Sequence, residues 1–292
     1  MMNLSDSTPT TCNAAAGDLA QLISATNKRF LLRLEAGGEL HTHRGILKHD
    51  DLVGLPWGSR VYSHLGSPFT LLQPSLLDVL QEMKRNTQIM YAKDIGFVMM
   101  MMDIHPGKHV IEAGSGSGAL TTALAFMVGE KGHVTSYEVR AEMQKLAAKN
   151  IARMGMSERV TFKLGDIENG FEERGVDALF LDVPNPYDYI AQVRAALKPG
   201  GFFGCILPTT NQVQLLLMAL HREKFAFVEV CEVMLRYYKA NPQRLRPTDR
   251  MVAHTGFLIF ARPVTAEAFE EEKAEKEPAA PAEAAEEGDV KE

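Results

Sequence analysis

Apolar and polar positions alternate along most of this chain with two different periods. Leu76, Leu77, Val79, Leu80 and Met83 fall at helical spacing, which predicts a helix over 75–83, just after Pro74. Beyond it, short apolar runs and amphipathic stretches take turns. The pattern predicts a helix over 95–102, a strand over 109–112, a helix over 119–128, a strand over 133–138 and a helix over 142–154. Strands over 160–164 and 178–181 follow, then a helix over 187–197, a strand over 201–207 and a helix over 210–223. Two long strands, over 226–237 and 254–261, close the series with no helix between them. Alternating strands and helices predict an α/β fold, a mostly parallel sheet covered on both faces. The final helix-free pair predicts an antiparallel edge.

The segment before this alternation has a different texture. Over 18–73, apolar runs of a few residues are broken by turn signals such as Gly37-Gly38, Gly54-Leu55-Pro56 and Gly66-Ser67-Pro68, predicting a small β-rich domain of hairpins. Residues 74–94 then form a connecting helix and loop, and 95–262 the large α/β domain. Residues 1–17 are rich in Ser, Thr, Ala and Asn, and residues 263–292 in Glu, Ala, Lys and Pro. Both are expected to be disordered, because they carry too few large apolar groups to offset the entropy of ordering.

Charge sharpens this division. The net charge of −6 argues against a nucleic-acid partner until it is located: residues 263–292 hold 11 of the 37 acids and 3 of the 31 bases, leaving +2 on the rest. No apolar run is long enough to span a membrane and no secretory signal opens the chain, so a cytoplasmic protein is expected. Cys12, Cys205 and Cys231 are scattered, with no CxxC pair. His41-Thr42-His43 shares a strand face without an evident third ligand, so no metal is expected.

The run Glu112-Ala113-Gly114-Ser115-Gly116-Ser117-Gly118 lies between a predicted strand and a predicted helix, where glycines let backbone approach a ligand closely. Dehydrogenases hold a pyrophosphate in a similar turn. An acid at position 112 would repel a pyrophosphate, whereas the ammonium and sulfonium of S-adenosylmethionine would be attracted. Glu138 ends the next strand, where a carboxylate can accept ribose hydroxyls, and Asp166 follows the strand after that, where an acid can accept an adenine amino group. The fourth strand ends Asp182-Val183-Pro184-Asn185-Pro186-Tyr187. There Asp182 can stabilise positive charge on a methylated base, or simply cap a helix.

Several ordered segments resemble the tRNA (adenine-58-N1)-methyltransferase family of bacteria and archaea: GELHTHRGILKHDDLVGLP from Gly38, TQIMYAKD from Thr87, EAGSGSGALT from Glu112, LPTTNQV from Leu207 and MVAHTGFL from Met251. The resemblance spans about residues 29–262. It implies a class I, Rossmann-like methyltransferase sheet, S-adenosylmethionine as cofactor, tRNA as partner, methylation of N1 of adenine 58 in the T-loop, with adenine 57 as a further target in some relatives, and a homotetramer. A class I methyltransferase acting on a small molecule or protein, or a non-catalytic tRNA-binding subunit, is the alternative. Carried over by position, the resemblance implies cofactor contacts at Gln88, Ser117, Gly118, Ala119, Leu120, Glu138, Asp166 and Asp182, with Met143 at a further contact position, beside Glu112, Gly114 and Gly116 from the loop argument. Asp182 becomes the catalytic acid and Tyr91 helps to position the target base. Two positions depart from the family pattern: Met143 stands where relatives often carry a polar contact, and Ile206 where some carry a tyrosine. Arg236, Lys239, Arg244, Arg246 and Arg250, interleaved with Tyr237 and Tyr238, make the densest basic stretch and the expected RNA contact.

Overall fold

The computed structural model describes residues 13–86 and 88–276; Cys12 and the segments 1–12 and 277–292 lie outside the described residues. The first domain holds β1 (Leu19–Ser24), β2 (Arg29–Arg33), β3 (Glu39–Thr42), β4 (Gly45–Lys48), β5 (Arg60–Tyr62) and β6 (Pro68–Leu72). Four of these form an antiparallel sheet in the order β2-β1-β6-β5, while β3 and β4 make a separate hairpin. Alternate residues along the strands, among them Leu22, Val61, Phe69 and Leu71, point to one side and build its core. Contrary to expectation, order begins before residue 18. The Ala14 amide donates to the Leu55 carbonyl at 2.8 Å and its carbonyl accepts from the Gly54 amide at 2.7 Å. Small polar residues hide this from a compositional reading, because the contact is made by backbone and by one small, buried methyl.

Helix α1 (Leu76–Glu82) links the domains and starts with a reciprocal cap: Ser75 Oγ accepts from the Asp78 amide and the Asp78 carboxylate accepts from the Ser75 amide. The same carboxylate accepts from Arg29 Nη1 of β2 at 2.6 Å, so the cap also ties the β-domain to the helix. Hydrogen bonding from Ser75 and the charge of Arg29 hold Asp78 below the usual carboxylate range, against the opposing effect of burial. Arg33 Nη2 reaches the Arg153 carbonyl at 2.9 Å in the second domain, adding a further strut.

The second domain continues with α2 (Ala92–Met101), β7 (His109–Ala113), α3 (Ala119–Val128), β8 (His133–Glu138), α4 (Ala141–Arg153), β9 (Val160–Leu164), β10 (Val176–Leu181), α5 (Ile190–Ala196), β11 (Leu197–Leu207), α6 (Thr210–Arg222) and β12 (Phe225–Cys231). A two-stranded ribbon of β13 (Tyr238–Lys239) and β14 (Arg246–Pro247) precedes β15 (Phe257–Pro263) and α7 (Ala266–Lys276). The seven-stranded sheet runs β12-β15-β11-β10-β7-β8-β9. Neighbours from β9 to β11 are parallel, and β15 is antiparallel to both β11 and β12. Val110 and Phe180 face one core layer with α2 and α3, whereas Ile111, Leu179 and Leu181 face the other with α5 and α6.

Several boundaries differ from expectation: α2 starts at Ala92, inside the expected connecting segment 74–94, β11 starts at Leu197 rather than 201, and β15 spans Phe257–Pro263 rather than 254–261. Strand β12 stops at Cys231 rather than continuing to Tyr237, because Cys231 already pairs with Leu258, next to the first residue of β15, and the sheet has no partner left. The acidic tail is also not featureless: α7 docks through Phe269, which is buried and sets its ring edge-on to His221 at 5.1 Å between centroids. Glu272 Oε1 accepts from the Phe227 amide at 3.3 Å. A Glu/Ala/Lys composition suits a helix once a single aromatic anchor supplies packing. Phe269→Ala is expected to lower unfolding free energy by about 1–3 kcal/mol, below the cost of a central Phe deletion. It should also open a protease site after residue 264; urea unfolding and limited proteolysis indistinguishable from the parent would contradict this docking.

Candidate active site

The loops that follow β7, β8, β9 and β10 emerge together at the carboxyl end of the sheet, where ligands of open α/β folds bind. Gly114 turns the chain out of β7 at φ +95°. A Cβ at this position would lie 2.1 Å from the Asp182 carbonyl oxygen, so only glycine lets the two strand ends meet. Across the junction the Asp182 amide donates to the Ala113 carbonyl at 2.9 Å. At the far end of the loop Gly118 takes φ +84° as the N-cap of α3, and a Cβ there would press on Ala147 of α4 at 3.0 Å.

Glu138, Asp166 and Asp182 line one cleft of about 730 Å³, together with Gly114, Arg140, Asn185 and Ile206. Glu138 accepts from the Gly116 amide at 2.9 Å and from the Arg140 amide and Nε at 3.1 and 3.0 Å. Burial pushes its carboxyl up, but these donors and the Arg140 charge more than offset that and leave it below the usual range. Asp166 caps a short turn by accepting from the Glu168 amide at 2.9 Å through Oδ1, while Oδ2 has no partner among the described residues. Asp182 is exposed on the wall of the cleft. Desolvation by the neighbouring protein atoms, then the negative charge of Glu138, pushes its carboxyl up to about 6.

A second, smaller cavity of about 230 Å³ shares Asp182, Ile206 and Pro208 with the cleft and is bounded on its other side by Gln88, Tyr91, Asp94 and Thr255. Its far wall is held by a buried network: Lys93 Nζ donates to Asp94 Oδ1 at 2.7 Å and to Thr255 Oγ1 at 2.6 Å, and Thr255 Oγ1 donates to Asp94 Oδ2 at 2.9 Å. His254 holds the adjoining wall, with Nδ1 at 2.5 Å from Glu232 Oε1 and Nε2 at 3.0 Å from the Pro208 carbonyl. Both partners are acceptors, so the ring serves both at once only as an imidazolium; the Glu232 carboxylate and then the Pro208 carbonyl raise its pKa accordingly.

Glu112 does not line the cleft. Strand alternation turns its side chain to the α3 layer, beneath the loop, where Oε2 accepts from Thr121 Oγ1 at 2.5 Å and Ser136 Oγ at 2.6 Å. Burial pushes its carboxyl up to about 7, against those two hydroxyls. The expectation of direct attraction between Glu112 and a bound ammonium is therefore replaced by a bracing role. Gly116, Ser117, Gly118, Ala119, Leu120 and Met143 also fall outside the cleft lining, and Ser117, Ala119, Leu120 and Met143 are buried. Gln88 and Tyr91 join Asp182 at the smaller cavity rather than at the cleft. Arg140, Asp94, His254 and Thr255 were not singled out from sequence, although the last three lie inside the segments TQIMYAKD and MVAHTGFL. Among the described residues no group of three His, Cys, Asp or Glu side chains could hold a metal ion, and no helix is long and apolar enough to cross a membrane.

An acid-lined cleft whose entry requires glycine fits a cationic nucleoside better than a pyrophosphate, since Glu138, Asp166 and Asp182 face it and Arg140 is already engaged by Glu138. In the folded protein Glu112 holds its proton to about pH 7, whereas an unfolded glutamate releases it near 4.5. Folding therefore favours the protonated form, and stability falls as pH rises from 4.5 toward 7 by an amount on the order of 3 kcal/mol. Glu112→Gln is expected to flatten that fall in thermal melts between pH 5 and 8; an unchanged slope would contradict the buried-acid reading.

Comparison with known proteins agrees with this geometry. Residues 71–249 match the family described as the tRNA methyltransferase complex GCD14 subunit, and residues 14–61 match a TrmI-like N-terminal family. A curated relative from Methanocaldococcus jannaschii, named tRNA (adenine(57)-N(1)/adenine(58)-N(1))-methyltransferase TrmI, is 32% identical over 82% of this chain and 93% of its own length. The crystal structure of tRNA (m1A58) methyltransferase TrmI from Aquifex aeolicus aligns with TM-score 0.72 and 32% identity, covering 87% of this chain and 99% of the other. A structure from Thermotoga maritima described as a SAM-dependent O-methyltransferase aligns with TM-score 0.78 and 45% identity, covering 87% and 96%.

Proposed function

This chain belongs to the tRNA methyltransferase family matched over residues 71–249, and from that premise we propose that it transfers a methyl group from S-adenosylmethionine to N1 of adenine 58 in the T-loop of tRNA. The observation that carries the reading is the position of Asp182 on the wall common to the acid-lined cleft and the smaller cavity. A donor held in the first and a base held in the second would meet at that carboxylate. Bound in the cleft, S-adenosylmethionine supplies an electrophilic methyl group on a sulfonium.

Glu138 and Asp166 would hold the adenosine part, with Arg140 yielding some of its hold on Glu138 to ribose hydroxyls. Gln88 and Tyr91 would position the target base. Because N1 lies on the pairing edge, that base must first leave its stack. Its in-plane lone pair attacks without prior deprotonation, so no strong general base is needed. Asp182 contributes by accepting from the exocyclic amino group and by opposing the positive charge that develops on the ring. We also propose a homotetrameric, cytoplasmic enzyme; the exposed apolar side chains Met100 and Phe126, 82% and 54% accessible, support association between chains.

Acid groups of the ionised kind act only when deprotonated. With the Asp182 carboxyl pushed up to about 6, kcat/KM for methyl transfer to a tRNA transcript should climb as pH rises through about 6 and level above it. Asp182→Asn should cut the plateau rate by roughly 10²–10³-fold and abolish that limb. A variant with parental turnover, or one keeping the limb, would remove Asp182 from the chemistry.

A further inference from the structure

Tyr91 separates the small cavity beside Asp182 from a third one, and nothing in the proposed chemistry uses that third space. It has a volume of about 360 Å³, at the lower end of the range small ligands fill, and shares Gln88 and Tyr91 with the target-base cavity. Its floor is apolar, with Leu80 from α1 and Leu235 from the segment after β12, and Tyr237 stands at its rim with 61% of its surface accessible. Arg85 and Arg250 also line it. Among the described residues neither guanidinium has a hydrogen-bond or ion-pair partner, nor do those of Arg236 and Arg244 in the sequence stretch that carries Arg250, whereas Lys239 is paired with Asp249 at 2.7 Å. An apolar floor, two exposed phenol rings and unneutralised guanidinium groups are the means by which proteins hold a single-stranded nucleotide, with rings for the base and cations for the phosphates.

The three cavities adjoin in a row: the cleft and the small cavity share Asp182 in their walls, and the small cavity and this groove share Gln88 and Tyr91. We propose that the groove is a second nucleotide subsite, taking the nucleotide next to the methylated adenine in the same RNA strand, with its base against Tyr237 and its phosphates toward Arg85 and Arg250. The inference rests on the tRNA reading above. It makes recognition depend on two unstacked nucleotides instead of one, and it gives Tyr237 and Arg250, which flank the ribbon, a defined task. Stacking of this kind is sequence-tolerant, so the subsite would register that a base is present rather than which base it is.

The test uses ligated tRNA transcripts carrying one abasic nucleotide immediately before or after the target adenosine, with labelled methyl incorporation as readout. In the parent enzyme, one of the two abasic positions should lower kcat/KM by about tenfold, chiefly through KM. Tyr237→Ala should lose a similar factor on the intact transcript and then show no further loss on the abasic one, while Tyr237→Phe, which keeps the ring, should behave as the parent. Arg250→Ala should reduce the salt dependence of tRNA binding by about one unit of slope. Equal abasic losses in parent and Tyr237→Ala would overturn the subsite, as would a change in oligomeric state on that substitution. If the intact transcript is not methylated at all, the functional reading fails and the subsite with it; methylation without this pattern sinks the subsite alone.

Discussion

The site depends on one backbone contact, the seating of Gly114 against the carbonyl of Asp182. No side chain fits there, and the Asp182 amide completes the junction by donating to Ala113. Because β7 and β10 are adjacent parallel strands, this contact fixes how their ends diverge and therefore where the loops after them go. One loop continues into α3 and shapes the cleft. The other carries Asp182 to the wall between the two cavities, followed by the Pro-rich turn that closes the cleft on its far side. A methyl-transfer site needs donor and acceptor in line within a fraction of an ångström, and a rigid strand junction is a means of providing that.

Charge is the second constraint. Glu112, Glu138 and Asp182 act on one another: Glu138 and Asp182 raise Glu112, and Glu138 raises Asp182. Of these three acids, Arg140 pairs with Glu138. A cationic ligand in this cleft would relieve the repulsion and let Asp182 ionise more readily, so cofactor binding and the activity of the carboxylate are coupled through simple electrostatics. The opposite wall is built differently. Lys93, Asp94 and Thr255 satisfy one another in a buried triangle, and His254 pins Pro208, so the base cavity is framed by polar groups already committed to structure.

Much of this was legible in the sequence. Period and turn signals located the elements of the α/β domain, and the strand-end acids Glu138, Asp166 and Asp182 do gather at one cleft, since parallel strands bring their carboxyl ends together whatever the loops do. Glu112 departs from its expected place because proximity along the chain is not proximity in space: the period-two alternation of β7 turns it under α3. The tail helix escaped because composition averages over a segment, whereas docking needed only Phe269. His254 and Thr255 could not be assigned from spacing, for their partners Glu232, Pro208, Lys93 and Asp94 lie 22 to 162 residues away. The resemblance to a family flagged their segments without giving them roles.

The central claim is that the methyl group goes to a ring nitrogen of one adenine in tRNA. The name of the Thermotoga structure points instead to an oxygen acceptor, and the acceptor atom is what separates the two chemistries. Mapping modified nucleosides by mass spectrometry after incubating the protein with S-adenosylmethionine and a full tRNA transcript tests the claim directly. The account predicts 1-methyladenosine at position 58, lost when that adenosine is replaced. Methyl on an oxygen, on another base, or on no nucleoside at all would contradict it.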